Sequence, residues 1–383
     1  MVESRTIRSV ITRLEAIAPL ELAEPWDNVG LLLGDARRDL NGPVFLTIDL
    51  TEASLAEAVA AGAGMIVAYH PPIFRELKRI TTDDPRGRTL LGAVESAIPV
   101  YSPHTALDAT EGGVTDWLCD MLAPTGGDTN LGDRRALTPA SIPDPDATHK
   151  LVTFVPAEHA ERVRDGLASI GAGRIGAYSN CSFTAAGTGS FIGGEGTAPV
   201  VGQAGTLEMV PETRLEMVCP GSALPLAVEI LRALHPYEEP PFDVYPLVPK
   251  PRRALGAGRR IRLDQPATPT QLADNLKANL GVDAVKLASA GAEEPVTIVG
   301  VCPGSGGSLM AGAIADGCRL FVTGEVSHHE ALAATARGCS VLLAGHTNTE
   351  GGYLHRYSDR IKAQLPGLDV IVSAVDNPIF ATL

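Results

Sequence analysis

The feature that most constrains the fold of this chain is a regular alternation of strand-like and helix-like segments at both of its ends. In the first third, helix-like segments separate the apolar runs 44–50, 65–69 and 98–101. In the last third, helix-like segments separate the apolar runs 296–301, 319–324 and 340–345. Because such alternation is typical of parallel sheets covered by helices, both ends are predicted to belong to one α/β domain with a mainly parallel sheet.

The middle of the chain has a different pattern. Two strand-like segments there each end in proline and lead into a helix-like segment, and two further extended stretches accompany them. This weak repeat predicts an inserted ferredoxin-like α+β unit over residues 149–248. The Pro-, Asp- and Gly-rich stretch 124–147 and the stretch 249–260 are typical of linkers. The chain is therefore predicted to fold as a split α/β domain, 1–130 and 250–383, with a second domain inserted into it.

Composition narrows the classes of partner and compartment. The formal net charge is −14, and no basic stripe with interleaved aromatic residues appears, so direct nucleic-acid binding is not expected. The 6 cysteines form no CxxC pair, which favours reduced thiols and a cytoplasmic protein. Near the N-terminus, one helical face carries Ile7, Val10, Ile11 and Leu14, without the apolar run of a signal peptide. No segment has the length of a membrane span, so no membrane partner is expected.

Candidate metal ligands directly follow three of the predicted strands: His70, then His104 with Asp108, then His346 with Glu350. Because ligands bind outside the carboxyl ends of strands in open parallel sheets, three strands would bring these side chains to one edge. The His-x3-acid spacing places both members of a pair on one face of a helical turn. Imidazole and carboxylate donors without a thiolate favour Zn, Mn, Fe, Ni or Co. A metal site is therefore predicted, with capping or packing histidines as the alternative.

Two further features near the same predicted edge have alternative explanations. The loop after the strand 296–301 leads into a helix, and its backbone N–H groups would favour binding of a phosphate or carboxylate. Alternatively, its glycines serve only a tight turn. The residues of this candidate anion-binding loop are Gly304, Ser305, Gly306, Gly307 and Ser308. His328 and His329 lie where another helix begins, and capping or solvation explains them as well as metal binding does.

Six motifs lie in order along the two end segments. They are PWDNVGLLLGD (25–35), YHPPIF (69–74), SPHTALDA (102–109), GSGGSL (304–309), GEVSHHEAL (324–332) and GHTNTEGGYL (345–354). Together they resemble the NIF-three-like family of metal-binding proteins, whose members often carry the name GTP cyclohydrolase 1 type 2 homolog. The middle segment, with HPYEEPPFDVYPL (235–247), is similar to the PII/CutA-like insertion of the longer members.

The resemblance implies a dinuclear centre with two divalent ions per chain, inside a ring-shaped homohexamer. By motif, His70 and Asp108 would hold one ion and His346 the other. Glu350 would contact both ions. The identity of the divalent metal is not implied.

One position departs from many members of the family. Those members carry two adjacent histidines where this chain has Tyr69 and His70, so one ligand of the second ion is missing or replaced. Some members share the Tyr-His-Pro sequence. His104 would either fill this position or orient a ligand from outside the coordination shell. Tyr69 and His104 are also the candidates for proton transfer.

Two functional hypotheses follow from these features. The first is a metal-dependent hydrolase of a nucleotide or another phosphorylated small molecule, with the loop 304–308 seating a phosphate. The second is a metal-dependent regulatory or scaffold protein whose inserted domain senses a ligand or partner. The acidic, aromatic-bearing segment 235–246 would serve that second role, or it is a proline-rich turn into an edge strand. Whether the chain is an enzyme stays open, because fold and metal site do not determine a substrate.

Overall fold

The computed structural model describes residues 5–125, 131–142, 146–249, 252–291, 293–376 and 378–380. The chain divides into two compact units. The split unit comprises Met1–Ala140 and Arg252–Leu383, and the inserted unit comprises Ser141–Pro251. Four predicted domain boundaries, residues 1, 130, 250 and 383, lie outside the described residues. Two parts of the first predicted linker, 126–130 and 143–145, lie outside them as well.

The first segment of the split unit alternates strands and helices. Its elements are α1 (Ile7–Ile17), β1 (Gly30–Leu33), β2 (Val44–Thr47), α2 (Glu52–Ala60), β3 (Met65–Ala68), α3 (Pro85–Glu95), β4 (Val100–Ser102), α4 (His104–Ala109), α5 (Val114–Asp120), β5 (Leu131–Arg135) and β6 (Thr138–Ala140). The helix α1 buries Ile7, Val10 and Leu14 of its predicted apolar face. Thr51 and Ser54 form a capping box at the start of α2. Local sequence therefore explains where these helices lie.

The inserted unit consists of a four-stranded antiparallel sheet with two helices packed on one face. Its elements are β7 (His149–Val155), α6 (Ala157–Ser169), β8 (Phe183–Ile192), β9 (Leu207–Cys219), α7 (Leu224–Leu234) and β10 (Phe242–Pro246). The order of elements is βαββαβ and the strand order is β10-β7-β9-β8, which is the ferredoxin-like arrangement. In β9, Leu215, Met217 and Cys219 face the helices. The alternate residues of β9 therefore lie on the face without helices.

The last segment of the split unit begins with two strands where the sequence pattern predicted a linker. Its elements are β11 (Arg252–Ala257), β12 (Arg259–Ala267), α8 (Pro269–Leu280), β13 (Lys286–Ala288), β14 (Val296–Ser305), α9 (Gly307–Ala315), β15 (Leu320–Glu325), α10 (His328–Thr335), β16 (Ser340–Leu343), α11 (Tyr353–Gln364) and β17 (Val370–Val372). The linker prediction for 249–260 needs correction. Gly258, with φ +61°, turns the chain between β11 and β12, and Arg259 is buried.

The prediction of one mainly parallel sheet also needs correction. The described residues of the split unit form a five-stranded sheet ordered β1-β4-β3-β2-β17 and a six-stranded sheet ordered β13-β16-β15-β14-β12-β5, besides the pair β11-β6. In the first sheet, only β1 pairs antiparallel. In the second sheet, only the pairings of β15 with β14 and β16 are parallel. The antiparallel strands β5 and β12 escaped prediction because their sequences, LGDRR and RRIRLDQPA, lack the continuous apolar runs that identified the parallel strands.

The parallel strands at the centre of each sheet are deeply buried and determine where polar side chains emerge. Every residue of β2 and β3 is buried, and β15 is buried up to its last residue. Polar groups are therefore confined to the ends of these strands, where the chain leaves the core. Among the described residues, no helix combines the length and apolar character needed to cross a membrane.

Candidate metal centre

Three of the predicted ligands converge at one point. In the described part of the chain, one ligand atom from each of His70, His346 and Glu350 lies within 4.8 Å of the other two. The Nε2 of His70 lies 3.4 Å from the Glu350 Oε2, and the Nε2 of His346 lies 3.3 Å from the Glu350 Oε1. Each oxygen of one carboxylate therefore faces a different imidazole.

The local backbone explains this convergence. His70 follows the buried strand β3, while His346 and Glu350 lie at the two ends of a 3-10 turn, Thr347–Thr349. The spacing of four residues places both side chains on one side of that turn, as the sequence pattern predicted. A Cβ added to Gly304 would lie 2.5 Å from the Glu350 Oε1 and 3.1 Å from the His346 Nε2. The end of β14 lies so close to Glu350 and His346 that only glycine fits at position 304.

A carboxylate orients each of the two histidines. The Nδ1 of His70 lies 3.0 Å from an oxygen of Asp49, and the Nδ1 of His346 lies 3.0 Å from an oxygen of Glu325. An imidazole whose Nδ1–H donates to a carboxylate presents its Nε2 lone pair to a metal. Burial opposes a charge on His70, but the hydrogen bond to Asp49 and the nearby Glu350 outweigh it and raise the pKa of His70 to about 10. The surroundings of this ring therefore favour positive charge.

Asp49 and Glu325 are site residues that the sequence pattern did not identify. Asp49 follows β2, and Glu325 is the last residue of β15. Both therefore occupy the kind of position that identified the histidines, the end of a parallel strand. This position at the end of a parallel strand is the sequence signal that identifies them.

Tyr69 and Asp108 form a hydrogen-bonded pair beside His70, whose ring centroid lies 4.9 Å from that of Tyr69. The Tyr69 hydroxyl donates to the Asp108 Oδ1 at 2.6 Å. Burial raises the pKa of Asp108 to about 7, and burial also holds the pKa of Tyr69 well above its usual range. Tyr69 is therefore a stable donor to Asp108. Among the described residues Asp108 lies outside the group of three converging ligands, so its role as a metal ligand stays a prediction.

His104 is held beside these residues by a buried acid. Its Nδ1 lies 2.7 Å from an oxygen of Asp27, whose side chain is 0% exposed. Asp27 also accepts hydrogen bonds from the backbone N–H and the hydroxyl of Thr105. The φ of His104 is +29°, a strained value for a residue with a side chain. Its ring centroid lies 5.4 Å from that of His70, so it borders the candidate site without joining the three converging ligands.

The candidate anion-binding loop has fewer free donors than its sequence suggested. The Gly304 N–H donates to the Thr349 hydroxyl at 2.9 Å, and the Gly306 N–H donates to the Thr323 hydroxyl at 3.0 Å. The Glu330 carboxylate occupies the space next to Gly307. Ser305 and Ser308, the two serines of the loop, line the cavity that surrounds the candidate centre.

The two histidines at the start of α10 are exposed. His328 and His329 form the first turn of this helix, behind the capping residue Ser327. Among the described residues they are not part of the converging group. Their position fits the capping and solvation alternative.

The candidate centre lies in a cavity of about 720 Å³. Trp26 and Phe74 line it, with ring centroids 5.8 Å apart, and remain 59% and 39% exposed. The cavity therefore combines three imidazoles and three carboxylates with an aromatic wall. Its volume lies within the range of roughly 300–1,000 Å³ typical of small-molecule sites.

The residues present fit a divalent metal. Glu350 is only 3% exposed, and its Oε2 accepts no hydrogen bond from the described residues. A buried carboxylate oxygen that accepts no hydrogen bond is costly, and a cation would satisfy it. The donors are two imidazole nitrogens and a carboxylate, which suit zinc and similar ions.

Comparison with known proteins agrees with the motifs. The family model "Duf34/NIF3 (NGG1p interacting factor 3)" matches residues 5–378. The "GTP cyclohydrolase 1 type 2 homolog" of Bacillus subtilis is 33% identical over 386 residues and covers 100% of both chains. The "NIF3-like protein 1" of Bos taurus is 32% identical over 97% of this chain and 91% of its own. The crystal structure of a Bacillus cereus protein related to NIF3 covers 100% of both chains at 31% identity, with a TM-score of 0.74. The predicted resemblance is thus confirmed, and the chain belongs to the Duf34/NIF3 family.

Proposed function

We propose that this chain is a divalent-metal-dependent hydrolase with a dinuclear centre. The observation that carries this proposal is the Glu350 carboxylate, whose two oxygens separately face the Nε2 atoms of His70 and His346. In this proposal His70 and Asp108 would hold one ion, His346 would hold the other, and Glu350 would serve both. A divalent cation held by these residues supplies Lewis acidity, which polarises a substrate oxygen and acidifies water.

The surrounding residues of the chain would keep the ligands in position. Asp49 and Glu325 orient the two imidazoles through their Nδ1 atoms. The Tyr69 hydroxyl orients the Asp108 carboxylate. Held in this way, the ligands need little rearrangement on binding a cation, which favours binding and positions the reacting groups.

The substrate class we propose is a nucleotide or another phosphorylated small molecule. The exposed rings of Trp26 and Phe74 suit a flat heterocycle, because aromatic rings stack on nucleobases. The hydroxyls of Ser305 and Ser308 offer hydrogen-bond donors in the same lining. The name of the Bacillus subtilis relative, GTP cyclohydrolase 1 type 2 homolog, supports the nucleotide class.

Family membership supports three further proposals. We propose that the chain assembles as a homohexameric ring, that it is cytoplasmic, and that the inserted unit is of the PII/CutA type. The βαββαβ order of the inserted unit supports the last of these. Native mass spectrometry tests the assembly, and a mass other than six chains contradicts it.

The first experiment measures metal stoichiometry by elemental analysis on protein purified without a metal-affinity tag. Wild type is compared with the double variant His346→Ala, Glu350→Ala and with His355→Ala, an exposed histidine on α11. We expect about two ions per chain in wild type and in His355→Ala, and fewer in the double variant. One ion per chain in wild type contradicts the dinuclear centre, and none after metal loading overturns the proposal.

The second experiment measures hydrolysis of a panel of nucleotides and nucleoside phosphates by metal-loaded protein. We expect Asp108→Ala to abolish turnover of the best substrate while native mass spectrometry shows the same assembly. If wild type hydrolyses no member of the panel, the proposed activity is wrong. The regulatory hypothesis then becomes the better account, and a cavity in the inserted unit favours it.

A further inference from the structure

We propose that the inserted unit binds a small organic cation, an ammonium group carried on an apolar or aromatic body, in a cavity of its own. The cavity has a volume of about 670 Å³, and its lining residues all belong to Ser141–Pro251. It lies on the sheet face without helices, because Arg214 lines it and the neighbouring Leu215 packs against the helices. This proposal is independent of the chemistry proposed for the metal centre.

The space for a ligand comes from small residues along β8. Ala185, Gly187 and Gly189 line the cavity from alternate positions of this strand. A Cβ added to Gly187 would meet nothing closer than 4.0 Å, whereas one added to Gly189 would overlap the Glu212 carboxylate. Because Gly187 has no side chain, the space above it stays open. Because Gly189 has none, the Glu212 carboxylate fits beside it.

Two aromatic walls of the cavity are held by one histidine. The Nε2 of His235 lies 3.0 Å from the Phe154 carbonyl oxygen, and its Nδ1 accepts the Tyr237 N–H at 3.1 Å. The ring centroids of His235 and Tyr237 lie 5.0 Å apart. The Tyr237 hydroxyl donates to the Glu212 Oε1 at 2.8 Å. The rings and the acid are therefore ordered before any ligand binds, which reduces the entropic cost of binding.

The charge of the lining favours a cation. Three carboxylates, those of Glu212, Glu238 and Glu239, line the cavity together with one guanidinium, that of Arg214. The Arg214 Nε donates to a Glu216 oxygen at 2.7 Å, and the same carboxylate accepts from Lys150 at 3.2 Å, so Arg214 is held away from the three lining acids only in part. The lining therefore carries an excess of negative charge.

The aromatic lining specifies the kind of cation. The guanidinium carbon of Arg214 lies 5.7 Å from the Phe154 ring centroid, so one cation already rests on an aromatic face at this cavity. Carboxylates next to aromatic rings are the groups that recognise organic ammonium ions. A bare metal ion would gain nothing from the apolar surface of Phe154, Phe191 and Val200, whereas the body of an organic cation would bury it.

A contact between two loops encloses the site. The Glu238 Oε2 accepts the Ala198 N–H at 3.1 Å and ties the segment after β8 to the segment after α7. Residues on both sides of this contact line the cavity, among them Thr197, Pro199 and Glu239. A bound ligand would therefore be partly covered.

The test uses the full-length protein and three probes of one shape that differ in charge: benzylamine, benzyl alcohol and benzoate. Binding is measured by isothermal titration calorimetry at neutral pH. We expect saturable binding of benzylamine, with benzyl alcohol and benzoate at least about tenfold weaker. No saturable benzylamine binding at millimolar concentration overturns the proposal, as does equal binding of the neutral alcohol.

Two variants locate the binding. Glu212→Gln removes one charge while keeping its shape, and Gly187→Val fills the open volume with a side chain that suits a strand. We expect each to weaken benzylamine binding at least about tenfold. Thr184→Val is the matched control, because Thr184 pairs with Leu215 on the other face of the sheet. If Gly187→Val does not fold by circular dichroism, Glu212→Gln decides. Unchanged binding in the folded variants places the probe elsewhere and overturns the proposal.

Discussion

At the scale of single residues, the candidate metal centre depends on a missing side chain as well as on its ligands. Gly304 has a φ of +60°, and a Cβ there would contact both Glu350 and His346. Gly281, at the end of α8, has a φ of +67° but no atom within 4 Å of an added Cβ. The two glycines have a similar positive φ, but an added Cβ would clash only at Gly304. They therefore form a matched pair for substitution by alanine.

We predict that Gly304→Ala weakens metal binding at least about tenfold, because the added methyl group displaces the Glu350 carboxylate. Both Gly304→Ala and Gly281→Ala are expected to lower the free energy of unfolding by about 1 kcal/mol or more, because alanine is strained at positive φ. Chelator competition measures the first quantity and urea unfolding the second. Equal metal affinity in the two variants would contradict the prediction.

At the scale of elements, His235 connects the end of α7 to β7. Its Nδ1 accepts a backbone N–H, so the ring is neutral in this arrangement. Burial lowers the pKa of His235, with the nearby His159 acting in the same direction. Glu212 and the hydrogen bond to the Phe154 carbonyl act in the opposite direction and are outweighed. The folded protein therefore resists protonation of this ring, while the unfolded chain takes up the proton freely below the usual pKa of 6.5.

We predict that the stabilisation due to His235 is present at neutral pH and is lost as the pH falls below about 6.5. The difference in free energy of unfolding between wild type and His235→Ala should accordingly shrink between about pH 7 and about pH 5. Urea unfolding at a series of pH values measures it. His329→Ala, which changes an exposed histidine, should keep the pH dependence of wild type. Parallel curves for wild type and His235→Ala would show that the ring titrates equally in both states.

At the scale of the whole molecule, a buried ion pair joins the two sequence segments of the split unit. Arg259, in β12, is 1% exposed, and its Nε donates to the Asp116 Oδ1 at 2.8 Å. The same guanidinium donates to the carbonyl oxygens of Ala109 and Thr110. The first and last segments are therefore held together by charge-assisted hydrogen bonds inside the core.

We predict that Arg259→Met lowers the free energy of unfolding by about 3 kcal/mol, because Asp116 stays buried and loses its closest cation. Arg253→Met is the control, since Arg253 is exposed and pairs with the exposed Asp133. Its cost should stay below about 1 kcal/mol. Urea unfolding compares the two variants, and a small cost for both would mean that Arg259 contributes little to holding the segments together.

The sequence by itself determined the class of elements, the family, and the residues that converge. Strand and helix periodicity is local, so the α/β alternation of the ends and the strand-helix repeat of the middle were visible in short windows. His70, His346 and Glu350 were predicted because each follows a parallel strand, and backbone connectivity then determines the edge at which it emerges. The spacing of His346 and Glu350 is likewise local.

Only the tertiary structure decided how these residues are paired and what surrounds them. The division of strands into two sheets, and the contacts of Asp49 and Glu325 with the histidines, join positions far apart in sequence. The loop 304–308 was a candidate anion site beside its tight-turn alternative, and nothing local shows that Thr349 and Thr323 accept two of its N–H groups. Hydrogen bonds and packing across such separations depend on three-dimensional proximity, which a local pattern of residue types does not contain.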